Sequence, residues 1–334
     1  MKRIFTVLVA IALVIASFAA CGTTDNGAKT EEAEKLTPAE IRLAGLKGPT
    51  TMGLVKLLDD AENKKTENTY TFEMATSGDE ITPKIVKGEI DIAALPVNLG
   101  AVLYNKTNGN VKMIAVNTLG VLYIVEKGEK AVESVADLKG KTIFATGKGT
   151  TPEYALTHIL EQNGLTIDDV TIEWKSEPTE VVSAMAAKDN AIAMIPQPFV
   201  TVAKTKITDL RVVLDLTEEW DKTDKDSKLI TSAIFVRAEF AEKNPDAVKL
   251  FLKDYEASAK YVNENVEDAA QLVEKLDIVK AQIAKLAIPN CNIVSITGND
   301  MKKYAKGYLE TLAAANANSV GGKLPADDFY LVYE

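Results

Sequence analysis

Two short runs of this chain carry side chains suited to holding a small polar molecule. Lys47-Gly48-Pro49-Thr50-Thr51 and Lys148-Gly149-Thr150-Thr151 lie about one hundred residues apart. Each run joins an ammonium group and two hydroxyls to a glycine that lets a ligand approach the backbone. An apolar run ending in proline follows each: Asp91-Ile92-Ala93-Ala94-Leu95-Pro96, and Ala191-Ile192-Ala193-Met194-Ile195-Pro196. The chemistry on offer is capture by hydrogen bonds, because strand-to-helix turns expose backbone N–H groups with no partner inside the helix. The spacing Gly-x-x-x-x-Gly-Lys-Ser/Thr of a phosphate-binding loop is missing.

Around these runs the local chemistry repeats. Thr151-Pro152-Glu153 reads as a hydroxyl cap, a proline at the first helical position and an acid in the first turn. Pro96 and Pro196-Gln197-Pro198 each follow a buried-type strand and open a helix, so Val97, Asn98 and Gln197 turn N–H or amide groups outward. Asn117-Thr118-Leu119-Gly120 interrupts two apolar runs and reads equally well as cleft lining or as a β-turn. Ser77-Gly78 and Ser176-Glu177 form a weaker outer pair of echoes. The expected ligand contacts are therefore Gly48, Pro49, Thr50, Thr51, Pro96, Val97, Asn98, Asn117, Thr118, Lys148, Gly149, Thr150, Thr151, Pro196 and Gln197. Trp174 and Trp220 could stack on a ligand, though core or rim positions suit them better. The lone histidine, His158, and two cysteines, Cys21 and Cys291, argue against a His-based metal centre, a catalytic triad or an internal disulfide. No catalytic residue, metal or cofactor is expected.

Behind these turns, short apolar runs alternate with helix-patterned segments, which predicts an α/β fold with largely parallel sheets. Strands are expected at 41–46, 70–75, 90–95, 111–117, 121–126, 142–146, 170–174, 191–195, 211–214 and 230–237. Helices are expected at 51–64, 79–87, 97–106, 152–163, 178–188 and 197–204. After residue 238 the pattern turns helical, with segments near 245–265, 267–275, 277–287 and 297–317. The second repeat sits inside the first. Residues 40–124 with 230–334 should form one lobe and 125–229 the other, joined by two adjacent crossings that could bend as a hinge.

The N-terminus reads as a secretory signal over residues 1–20: Lys2 and Arg3, an uncharged run from Ile4, and small residues before Cys21. Phe18-Ala19-Ala20-Cys21 resembles a bacterial lipobox, which makes Cys21 the expected lipid attachment point. Residues 21–39 are polar and aperiodic, as a flexible tether would be. Removing 1–20 takes away two of 38 basic residues against 48 acidic ones, a net charge of −12 that disfavours a nucleic-acid partner.

Ile85-Val86-Lys87-Gly88-Glu89-Ile90-Asp91-Ile92-Ala93, Val135-Ala136-Asp137-Leu138-Lys139-Gly140-Lys141, Ala241-Glu242-Lys243-Asn244-Pro245-Asp246-Ala247 and Gly321-Gly322-Lys323-Leu324-Pro325 carry a family resemblance. With them the chain resembles the substrate-binding proteins of ABC importers, in the nitrate/sulfonate/taurine and thiamine-precursor (SsuA/THI5-like) branch. The resemblance implies a two-lobed type II periplasmic-binding-protein fold with ligand turns at 48–51, 96–98, 117–118, 148–151 and 196–197. It implies a monomer, tethered by lipid to the outer face of the cell membrane, that captures a small polar solute, with an anion slightly favoured. The solute would pass to a membrane permease. The rival expectation is an enzyme on the same fold, of the thiamine-pyrimidine-synthase or dehydratase kind. Members of this branch that make the thiamine pyrimidine use clustered cysteines and histidines, and this sequence has no such cluster.

Overall fold

The computed structural model describes residues 36–223 and 225–333. The expected signal segment 1–20, Cys21 and the tether up to residue 35 lie outside the described residues. The chain begins with β1 (Glu40–Leu46), α1 (Pro49–Met52), α2 (Val55–Glu62), β2 (Thr69–Ala75) and α3 (Gly78–Val86). It continues through β3 (Ile92–Pro96), α4 (Val97–Lys106), β4 (Val111–Leu119) and β5 (Leu122–Lys127). Next come β6 (Thr142–Thr146), α5 (Thr151–Gln162), β7 (Thr171–Lys175), α6 (Pro178–Ala186), β8 (Ala191–Pro196) and α7 (Phe199–Lys206). β9 (Arg211–Asp215), α8 (Leu216–Thr223), β10 (Ile230–Arg237), α9 (Ala238–Lys243) and α10 (Pro245–Glu264) follow. The chain closes with α11 (Val266–Lys275), α12 (Ala281–Ala287), β11 (Ile293–Ile296) and α13 (Gly298–Ala315).

The strands form two mixed sheets, ordered β2-β1-β3-β10-β4-β11 and β7-β6-β8-β5-β9. The α/β expectation holds, and so does the duplication. In both sheets the first strand pairs in parallel with a strand 29 residues later: Arg42 with Thr71, and Thr142 with Thr171. Its other parallel neighbour is 49 residues later: Leu43 with Ile92, and Ile143 with Ile192. An antiparallel strand then closes each core, β10 beside β3 and β5 beside β8. Strands covered on both faces need apolar side chains throughout, which is why β3 and β8 read as unbroken apolar runs.

The chain leaves the first sheet after Leu119 and enters the second at Leu122, so the first crossing is Gly120-Val121 rather than 124/125. Tyr123 and Ile124 already pair with Ile195 and Met194. Gly120 marks the place: a Cβ there would run into the Thr217 hydroxyl and Leu229. The return connection ends at Ile230, where β10 begins. The expected helix 51–64 is two helices broken at Gly53, where a Cβ would lie 2.7 Å from Tyr255 Oη. Ser258 bridges the break, donating to Gly53 O at 2.7 Å and accepting from Leu57 N–H at 3.0 Å. α8, α9 and β11 were not anticipated.

Far from the turns, at the start of β3, Asp91 is almost wholly buried between two guanidinium groups. Arg42 bonds it through Nε at 2.8 Å and through a second nitrogen, and Arg237 Nη2 donates at 3.0 Å. Burial alone would raise the Asp91 carboxyl, but the Arg42 and Arg237 bonds outweigh it and hold the group below its ordinary value. A carboxyl lowered in the folded state stabilises above its unfolded value and loses that contribution as pH falls through the folded one. Asp91→Asn should therefore cost about 2–3 kcal/mol at pH 7, a reduced figure because Arg42 is 40% exposed. In denaturant titrations the deficit should shrink below about pH 4. An equal deficit at pH 3 and pH 7 would contradict this account.

Candidate ligand cleft

Parallel strands deliver their loops to one edge of a sheet. β1 and β3 run parallel, and β4 joins them in direction because β10 is antiparallel to both. The turns 48–51, 96–98 and 117–118 therefore share the carboxyl edge of the first sheet. In the second sheet the same logic groups 147–151 after β6 with 196–197 after β8.

The first-half turn is held from below. Gly48 sits at φ 126°, a backbone state that favours glycine, and is buried. Among the described residues, a Cβ on Gly48 would meet nothing within 4 Å. Thr51 turns inward and donates to Leu46 O at 2.6 Å, and a Cβ on Gly45 would collide with its hydroxyl. Asn117 Nδ2 donates to Thr50 O at 2.8 Å, and Asn117 Oδ1 accepts from Ser232 Oγ at 2.8 Å. Asn117 and Thr118 are 1% and 0% exposed, so in this conformation Asn117 braces the turn and neither side chain meets solvent. Pro96 and Asn98 are partly exposed, Val97 is buried, and Asn98 Nδ2 lies 3.4 Å from Ser319 O.

The second-half turn is more open and differently capped. Lys148, Gly149 and Thr150 are exposed, and Gly149 has φ 73°. Thr150 Oγ1 donates to Gly147 O at 2.6 Å, while the Gly149 N–H is taken by the Glu153 carboxylate. Gln197 is buried: its Oε1 accepts from Thr201 Oγ1 at 2.9 Å and its N–H donates to Val121 O at 2.9 Å. Lys47 reaches Asp277 at 3.2 Å.

A short relay connects the two edges. Tyr154 Oη donates to Gly149 O at 2.9 Å and accepts from Asn316 Nδ2 at 2.9 Å. Asn316 belongs to the first half, and the segment it opens reaches the Asn98 amide through Ser319. Gly149, Glu153 and Tyr154 face Glu310, Thr311 and Asn316 across a groove of about 970 Å³ between α5 and α13. A second groove, of about 360 Å³, runs between α7 and α12, with Gln197, Thr201 and Lys204 on one side and Leu286 and Asn290 on the other.

Tyr154 and Asn316 escaped the sequence reading. The relay needs a residue 162 positions away, and only the three-dimensional pairing reveals it. Trp220 is fully buried, 4.3 Å from the His158 ring and 5.5 Å from that of Tyr308, with its indole N–H on Ser227. It packs the seam between the halves rather than a solute. Cys291 is buried, and desolvation pushes its thiol up to about 12. Among the described residues, no group of three or more histidines, cysteines or acids is placed to hold a metal ion.

The bracing of Thr50 by Asn117 yields a direct test. Asn117→Ala strands a buried carbonyl and a buried hydroxyl, so stability should fall by about 2–3 kcal/mol. A loss under about 0.5 kcal/mol in urea titrations would show that the turn stands without it.

Comparison with known proteins agrees with this architecture. The family model described as NMT1/THI5 like matches residues 111–269. A curated binding protein of Brucella abortus (strain 2308) is 30% identical over 240 residues, covering 69% of this chain and 71% of the relative. A crystal structure of an ABC transporter protein from Parabacteroides distasonis superposes with a TM-score of 0.73 at 24% identity, covering 88% of this chain and 99% of that one. The periplasmic aliphatic sulphonate binding protein SsuA of Escherichia coli gives 0.69 at 17% identity, covering 89% and 94%. With its duplicated sheets and the 30% identical Brucella relative in hand, the chain belongs to the NMT1/THI5-like family of the periplasmic-binding-protein fold.

Proposed function

We propose that this protein is the solute-binding component of an ABC importer, working outside the cytoplasmic membrane and holding one small polar molecule between its two halves. The observation that carries the reading is the pair of carboxyl edges built on one register and joined by the Gly149-Tyr154-Asn316 relay. Turns at such edges hold ligands by backbone donors and hydroxyls. Gly48, Pro49, Thr50, Thr51, Pro96, Val97 and Asn98 form the first-half side of the site. Lys148, Gly149, Thr150, Thr151, Pro196 and Gln197 form the second. Asn117 and Thr118 lie behind the first. Domain closure would bring both sides onto the solute and release would reopen them at Gly120-Val121 and the return connection before Ile230.

For the charge of the solute, the first-half turns favour an anionic or acceptor-rich end, since α4 opens with no acid in its first turn. Transport rather than catalysis is supported by the binding-protein relative and by the raised, buried Cys291 thiol, which leaves little thiolate for nucleophilic chemistry. The lipid anchor at Cys21, the monomeric state and the permease partner complete the proposal.

Two outcomes test it. Protein extracted from membranes and then denatured should release a stoichiometric small polar molecule, chemically unchanged after incubation. Readdition at one hundred times its Kd should stabilise the fold by about 2.7 kcal/mol. No co-eluted solute, and no melting shift with sulfonates, nitrate, bicarbonate, carboxylates or pyrimidines, would contradict the reading; conversion of the solute would favour an enzyme. Separately, Cys21→Ser should move the protein from the membrane fraction to the soluble fraction, and unchanged fractionation would remove the anchor.

A further inference from the structure

The six helices that open the parallel-strand turns divide into two kinds. Those following β1, β3 and β8 have no acid in the first turn. Those following β2, β6 and β7 each carry a glutamate that accepts a backbone N–H from the turn: Glu80 from Thr76 and Ser77, Glu153 from Gly149, and Glu180 from Ser176. Of these three, only Glu153 lines the groove between α5 and α13, next to Tyr154 and opposite Asn316. Glu161 and Glu310 line the same groove, and no lysine or arginine stands among its lining residues. The Gly149 N–H on this side already serves a carboxylate of its own helix, and the exposed Lys148 ammonium next to it is not among the lining residues of the groove. An incoming anion would have to displace Glu153 and then sit in the field of the other two.

We propose that Glu153 sets the charge preference of the cleft. It makes the 147–151 turn a partner for an N–H donor or ammonium end of the solute and leaves any anionic end to the acid-free turns after β1, β3 and β8. This inference rests on the solute-receptor reading. It assigns polarity along the bound molecule, with acceptors toward Gly48–Thr51 and donors toward Glu153.

Glu153→Gln isolates the charge, because glutamine in the first helical turn still accepts the backbone hydrogen bond and keeps the cap. Calorimetric titration of the full-length protein with propanesulfonate and its amino-terminated counterpart, 3-aminopropanesulfonate, reads the preference. Wild type should bind the amino compound about tenfold more tightly, and Glu153→Gln should erase that ratio while lowering the melting temperature by no more than about 3 °C. An unchanged ratio in the variant, a wild-type preference for propanesulfonate, or no binding of either probe would overturn the assignment. A co-eluted solute with neither an N–H donor nor positive charge would overturn it too, while leaving the receptor reading intact. Absence of any co-eluted solute would count against the receptor reading itself.

Discussion

A parallel strand gives up its backbone partners where the sheet ends, and the donors of the helix that follows point into whatever lies beyond. In this chain the ladder β2-β1-β3 and its copy β7-β6-β8 stop in the same register, with partners 29 and 49 residues away in both. That common register places Gly48–Thr51 and Gly147–Thr151 at equivalent edges, and Pro96 and Pro196 beside them. A slip of one residue would turn every side chain on the affected strand to the opposite face. The apolar runs of β3 and β8, with core on either side, would not survive such a slip.

The two halves are held together close to their crossings. Asn292 adopts a left-handed backbone (φ 45°), which asparagine tolerates better than most residues. From there its amide donates to Gly120 O at 2.6 Å, while its carbonyl accepts from Leu119 N–H. Tyr123 Oη reaches Asn290 O at 2.8 Å from the second sheet. Trp220 against Tyr308 adds apolar cement along the α8–α13 seam. Polar contacts thus cluster on the crossing itself, where bending needs few apolar contacts to break, and the aromatic packing lies to one side. The relay through Tyr154 and Asn316 is slighter, two hydrogen bonds on partly exposed groups, as suits a contact that must form and release.

Much of this was legible in the residues. Strand positions followed from apolar runs closed by proline or glycine, and β4, β6 and β10 fall within two residues of expectation. The duplication was visible because its chemistry repeats near a fixed interval. What failed did so for reasons of tertiary context. Leu122–Val125 continues an apolar run with no local sign of which sheet it joins, so the crossing was placed several residues late. Helix 51–64 broke at Gly53 because α10 presses Tyr255 against that point, a contact from two hundred residues away. The sequence turns the Gln197 amide outward and leaves Asn117 as cleft lining or a β-turn, yet each satisfies a buried neighbour, since an unpaired amide inside the fold would be costly. Glu153 is legible as a favourable first-turn acid at a candidate ligand turn, but its hold on the Gly149 N–H is not. Its position on the groove between halves was not in the sequence.

The central claim is that one solute touches both sheet edges at once. Hydrogen–deuterium exchange of the protein with and without its co-eluted solute tests that claim most directly. The account predicts added protection at 48–52 and 97–99 together with 147–151, gained at the same solute concentration. Protection confined to one half, or to the outer faces of α3, α6 and α11, would contradict it.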